Sequence, residues 1–179
     1  SIHILITLAS LSFQSCDILE NFFLNLPMKQ SITSTGNGPT ISETESICLG
    51  DYDSYSDNID KIQTIEYVAA LYRTLDTPQL TPGLAGQNII VEVVNGNGVP
   101  IFTRTLPTAV AADYIDTPYK VELTTSEIAL VNDYLAQYKV NNNLCFSATL
   151  TMNNISAGQG PPYTLTGEVE LLVKLEVSP

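Results

Sequence analysis

Apolar and polar positions alternate with a period of two through most of this chain, most regularly near its C-terminus. In YTLTGEVELLVKLEVSP, Leu165, Val169, Leu171, Val173, Leu175 and Val177 fall on one side, and Thr164, Thr166, Glu168, Glu170, Lys174 and Glu176 on the other. Successive side chains of a strand point to opposite faces, so this predicts a long strand with one buried and one wet face, broken only by Leu172. LCFSATLTM repeats the pattern with Leu144, Phe146, Ala148 and Leu150 inward. FFLNLPMKQSI sets Phe22, Leu24, Leu26 and Met28 against Asn25, Pro27 and Lys29. Pro27 has no N–H for a ladder, which predicts an edge strand. TSTGNGPT then reads as a loop, and ISETESICLG as a weaker strand carrying Ile41, Ile47 and Leu49. TIEYVAALYRTL is apolar on both faces, with Ile65, Tyr67, Ala69 and Leu71 alternating against Glu66, Val68, Ala70 and Tyr72, which predicts a strand inside a sheet.

Two local signals interrupt the alternation. Asn95-Gly96-Asn97-Gly98 separates two β-rich runs, and residues that tolerate positive φ in that position predict a hairpin. Thr124 followed by Glu127 is a capping-box pattern, and Ile128, Val131, Leu135 and Tyr138 then recur at helical spacing up to the Asn run at 141–143. Seven or eight strands with one crossover helix at about 125–139 predict a mainly β fold. The expected architecture is an antiparallel β-sandwich, broadly immunoglobulin-like, in which residues 22–179 form one domain behind an N-terminal segment of residues 1–21.

Charge narrows the function. Seven Lys and Arg against nineteen Asp and Glu leave a net charge of −12, which repels phosphate backbones and argues against nucleic-acid binding. Few charges with much Thr, Ser and Asn suit an exported all-β protein. Nucleophilic catalysis needs a base beside the nucleophile, and the only histidine is His3, in the apolar N-terminus. The carboxylates alternate with apolar residues or sit in turns, so no enzyme and no cofactor are expected. Asp51, Asp53, Asp57 and Asp60 in DYDSYSDNID are a weak candidate for Ca²⁺, with Tyr55 where a third oxygen ligand is expected in an EF-hand loop; the alternative is an acidic surface loop. Cys48 and Cys145 are a candidate disulfide, the alternative being two buried free thiols. Tyr52, Tyr55, Tyr114, Tyr119 and Tyr163 suit either protein and glycan contacts or the covering of core ends, and Asn154 in NIS matches a glycosylation acceptor in a loop.

The N-terminus carries the remaining information. LITLASLSFQSC resembles the end of a bacterial lipoprotein signal peptide: an apolar run, small residues and a cysteine. The resemblance implies lipid attachment at Cys16 and anchoring to the outer membrane. It departs from that pattern in Phe13, three before the cysteine, and in the lack of a basic start. If retained, the segment is an extended arm with Ile2, Ile4, Ile6 and Leu8 along one side, followed by Leu11 and Phe13, and twelve such residues reach roughly 40 Å. That resembles, in architecture, bacterial pilins, whose N-terminal arms complete a neighbouring sandwich by β-addition. The function expected is a non-enzymatic structural subunit of an extracellular bacterial filament or adhesive surface layer, with copies of itself as partners. The alternative is a monomeric cell-surface lipoprotein that binds a ligand or glycan through its loops. Intact-mass analysis of the protein from its host separates these: the arm reading expects residues 2–13 to be present, and an acylated chain beginning at Cys16 would eliminate it.

Overall fold

The computed structural model describes residues 21–179, so Ile2, Ile4, Ile6, Leu8, Leu11, Phe13 and Cys16 lie outside the described residues. The period-two segments form strands β1 (Phe22–Gly36), β2 (Ile41–Cys48), β3 (Ile62–Thr74), β4 (Asn88–Asn95), β5 (Pro100–Thr105), β6 (Tyr119–Val121), β7 (Cys145–Asn153) and β8 (Tyr163–Val177). A single helical turn, α1 (Asp53–Ser56), and the helix α2 (Thr125–Leu135) interrupt them. One sheet has the order β1-β8-β3-β6 and the other β2-β7-β4-β5, with every pairing antiparallel. Every connection except the β4–β5 hairpin crosses from one sheet to the other.

The fold is therefore the expected antiparallel β-sandwich, and its strand order resolves it further. Four plus four strands in this order make a jelly roll. An immunoglobulin constant domain would instead divide its strands four and three, as ABED and CFG. Local alternation is the same in both arrangements, because it reports only which face of a strand is buried.

β8 lies between β1 and β3, and Leu165, Val169, Leu171, Val173, Leu175 and Val177 are all buried in the core, as their alternation predicts. At about 1.5–3 kcal/mol for each buried aliphatic side chain, this strand is the largest single apolar contribution to the first sheet. Gly167 is the gap in its inward row. A Cβ there would come 2.7 Å from Tyr72 Cε2 and 2.8 Å from a Leu150 methyl, so the Tyr72 ring occupies the space a side chain would need.

Two strands depart from expectation. β1 runs on through Thr33–Gly36, where a loop was expected, because its polar residues find partners. Buried Ser34 donates to the Leu150 carbonyl (2.9 Å), and the Thr35 and Thr164 hydroxyls meet at 3.1 Å. In β3 a bulge between Tyr67 and Ala69 inserts Val68, which is exposed. The extra residue moves the buried set from Ile65 before the bulge to Ala70 and Tyr72 after it. Unbroken alternation cannot show such a change of phase.

The local signals form as read. In the hairpin Asn95 Oδ1 accepts from the N–H groups of Asn97 and Val99, both at 3.0 Å, and Gly98 adopts φ +79. Thr124 and Glu127 make a reciprocal capping box at the start of α2, and a 3-10 turn, Ala136–Lys139, extends the helix to the expected end. Cys48 and Cys145 face each other across β2 and β7 and are joined by a disulfide. The bond closes a loop of 97 residues, which on the chain-entropy model stabilises by up to about 4.7 kcal/mol. Replacing both cysteines by serine is expected to lower the free energy of unfolding by up to that amount, read by urea denaturation with the parent chain under non-reducing conditions as reference.

Candidate functional site

The four outer edges of the sandwich decide what can dock on it, since each exposes main-chain donors and acceptors. In the first sheet β6 spans only three residues and pairs with Ala70–Tyr72 of β3. On the side away from β8 the first half of β3 is left without a neighbouring strand, and α2 covers it instead. Asn132 Oδ1 accepts from the Tyr67 N–H (2.8 Å), and the buried Tyr138 hydroxyl lies 2.8 Å from the carbonyl oxygens of both Ile62 and Gln63.

The same helix is tied to the second sheet. Tyr134 Oη accepts from the Gly96 N–H (3.1 Å) and donates to the Cys145 carbonyl (2.9 Å), while its ring packs edge-on against Phe146. Arg104 of β5 forms an ion pair with Glu127, whose carboxylate also accepts from the Thr124 N–H (2.8 Å). The hydrogen bond from Arg104 holds the Glu127 carboxyl down at about 2, against an ordinary value of 4.5, and helix capping lowers it further. α2 is thus a brace across the open side of the sandwich.

The remaining edges are blunted by other means. On β1 the Lys29 N–H donates to the Tyr52 hydroxyl (2.6 Å), which donates back to the Lys29 carbonyl (3.1 Å). Both main-chain groups of Lys29 therefore point away from β8. In the unbroken β1–β8 register the same orientation recurs every second residue, so Pro27, with no N–H, occupies the adjoining outward position. Burial raises the Tyr52 hydroxyl above its ordinary value. On β5 the Arg104 guanidinium occupies the Thr103 carbonyl (2.9 Å). On β2, Glu43 and Glu45 share the parity of buried Ile41 and Ile47 yet stay exposed, and such charges on an edge strand resist pairing.

One stretch of edge stays open. Thr64, Ile65, Glu66 and Tyr67 pair in continuous register with β8, and the outward N–H of Tyr67 sets the same outward direction for Ile65 two residues earlier. Ile65 is a buried residue, yet among the described residues nothing bonds to its N–H or its C=O. Ile65 lines a cavity of about 320 Å³ together with Gln63, Thr64, Glu66, Ala136, Tyr138 and Lys139. Buried main-chain groups are paired in the great majority of cases, and this pair is an exception among the described residues.

The two outer sheet faces differ in charge. Across β1, β8 and β3, Arg73 pairs with Glu168 (2.9 Å), Lys29 with Glu170 (3.2 Å) and Lys174 with Glu66 (3.0 Å). A second cavity of about 220 Å³ lies among Lys29, Arg73, Glu168 and Glu170 beside Leu71 and Pro118, with its opposite charges already paired. The outer face of β2 and β7 is a hydroxyl ladder, with Ser42 against Thr151 (2.7 Å) and Thr44 against Thr149 (2.8 Å).

The aspartates considered for Ca²⁺ are not brought together. Asp51 ends a 3-10 turn (Leu49–Asp51), Asp53 opens α1, Asp57 caps it and Asp60 lies in a further 3-10 turn (Ile59–Lys61). Successive helical turns spread the four carboxylates along the chain, and among the described residues no three His, Cys, Asp or Glu form a metal-binding group. Tyr55 and Tyr114 are buried, the latter edge-on to both Tyr72 and Tyr119, so these cover the core. Asn154 is exposed at the end of β7 with φ 48. Of the bracing residues, Glu127 and Tyr138 are legible only as a helix cap and an apolar-stripe position, while Asn132, four residues after Ile128 and three before Leu135, is a lone amide on that stripe.

No family model matches the chain, and no curated protein does. Among solved structures, a chain of infectious bursal disease virus Gx strain aligns over 89% of this chain and 32% of its own length, at 10% identity and TM-score 0.35. A chain from Desmodium yellow mottle tymovirus aligns over 89% of this chain and 90% of its own, at 10% identity and TM-score 0.38. This chain thus spans about a third of the first of these. The class of protein is set by its own strand order, an eight-stranded jelly roll braced by one helix. No helix among the described residues is long and apolar enough to cross a membrane.

The Arg104–Glu127 pair makes a prediction about pH. A carboxyl depressed in the folded state contributes stability above its unfolded value, and that contribution is lost as the pH falls through the folded value. Stability is expected to drop between about pH 4.5 and pH 2, and E127Q to flatten that part of the profile, measured by thermal melts across the range.

Proposed function

We propose that this chain is a non-enzymatic structural subunit that assembles with copies of itself at an extracellular bacterial surface, joined through its apolar N-terminal arm. The observation that carries the reading is that residues 22–177 supply all eight strands of the jelly roll. Both sheets have their full complement, so the arm is not a substitute for a missing strand of the described sheets. Its alternating Ile2, Ile4, Ile6 and Leu8 remain a face that water disfavours by about 1.5–3 kcal/mol for each side chain. A contact in which an arm on one subunit meets a different surface on the next is heterologous. Repeated without closure, it builds a filament or layer.

A net charge of −12 keeps the bodies soluble and apart, which leaves a neutral arm as the means of association. Jelly rolls also serve as lectin domains, and a lipoprotein tethered at Cys16 whose loops bind a glycan is the second reading. Electron microscopy and sedimentation velocity of the full chain test the first. Filaments or sheets are expected from the full chain and monomers after deletion of residues 1–15; assemblies that survive the deletion would overturn it.

A further inference from the structure

The open edge at Ile65 and the arm answer each other. The edge offers one main-chain N–H and one C=O above a 320 Å³ cavity, between points already closed by Tyr138 and Asn132. Room for one short stretch of strand pairing exists there and not for a whole strand. The cavity wall includes Ala136, the Tyr138 side chain and the stem of Lys139, surfaces suited to aliphatic side chains. Residues 1–15 contain no Asp, Glu, Lys or Arg, so they approach this acidic body without like-charge repulsion, and their alternation presents apolar side chains at every second residue.

The occupant follows from strand direction. β1 and β3 both run antiparallel to β8, hence parallel to each other, and Phe22, Ile62 and Val177 lie together at one end of the sheet. A chain entering β1 at Phe22 comes from beyond that end, whereas a strand at Ile65 lies alongside β3. To reach its own site the arm would have to reverse and cross the end of β8, where the Ser178 N–H is bonded to the Lys61 carbonyl (2.9 Å). For that reversal residues 1–21 offer neither Gly nor Pro, only the turn formers Ser10, Ser12, Ser15, Asp17 and Asn21. The arm of another copy needs no such reversal.

We propose that the Ile65 edge beneath the end of α2 is the acceptor for the apolar arm of a second copy, which pairs with Ile65 and seats its aliphatic side chains in the cavity. This rests on the assembly reading above and names the surface that receives the arm. Unlike the pilin arrangement, it completes no missing strand; it fills a gap of one residue pair in a finished sandwich.

The test uses full-length chains carrying C16S. One population bears L8C and the other A136C, and the two are mixed and oxidised, with V140C, exposed and nearby, in place of A136C as control. A disulfide between the two populations, well above the control, is expected. In parallel, A136F, at an exposed position on the rim, is expected to raise the concentration needed for assembly about tenfold or more, with its melting temperature unchanged. If deletion of residues 1–15 abolishes assembly while A136F assembles like the parent and L8C fails to cross-link to A136C, the arm reading stands and this acceptor is overturned. If assembly survives the deletion, the assembly reading itself falls. A cross-link formed only within one chain carrying both cysteines overturns the second copy as occupant. Should A136F not fold, the cross-linking outcome decides alone.

Discussion

Main-chain hydrogen bonding at the sheet edges is the constraint on which this structure turns. A sandwich buries its side chains between two sheets easily, but the last strand of each sheet still exposes donors and acceptors that must be paired, shielded or left in water. Here β6 is too short to cover β3, and side chains of one helix do what a longer strand would have done. Asn132 and Tyr138 bond the bare edge, while Tyr134 and Glu127 hold the helix to the opposite sheet. The crossover from β6 to β7 is thereby a brace as well as a connection. Its position depends on a few polar atoms as much as on the apolar stripe of α2.

Each of the other edges is blunted by a different device: a proline and a tyrosine on β1, exposed glutamates on β2, an arginine folded over its own strand on β5. Their common effect is to keep acidic copies from pairing side by side along strands. Where β-addition remains open it is confined to a single residue pair, too short to template uncontrolled stacking. In the proposed assembly, association through one short site and one arm sets register and direction. A bare edge strand would offer many registers.

Charge placement follows the same division. Ion pairs bridge the strands on the outer face of the first sheet, and paired hydroxyls cover the strands β2 and β7 of the second. Exposed pairs of this kind contribute little to stability individually, about 0–1 kcal/mol each. Their effect here is to cover most of the wet faces with polar groups, although Phe23 and Val68 stay exposed on the first sheet.

Period-two alternation, the capping box and the Asn-Gly turn are local, and by themselves they determined most of the strands, the hairpin, the helix and the antiparallel sandwich, but not the three-residue β6 or the end of β1. Leu165 through Val177 could be assigned inward and outward because a strand's two faces are set by its own backbone. Cys48 and Cys145 were legible as candidates, but their pairing depends on β2 lying beside β7. What only the tertiary structure decided is everything that requires knowing a neighbour: the jelly-roll order, the bulge at Val68, the burial of Ser34 and the dispersal of the four aspartates over helical turns. The Ile65 gap belongs to that group as well, because a main-chain group is left unpaired by what stands next to it, and no residue type records its absence.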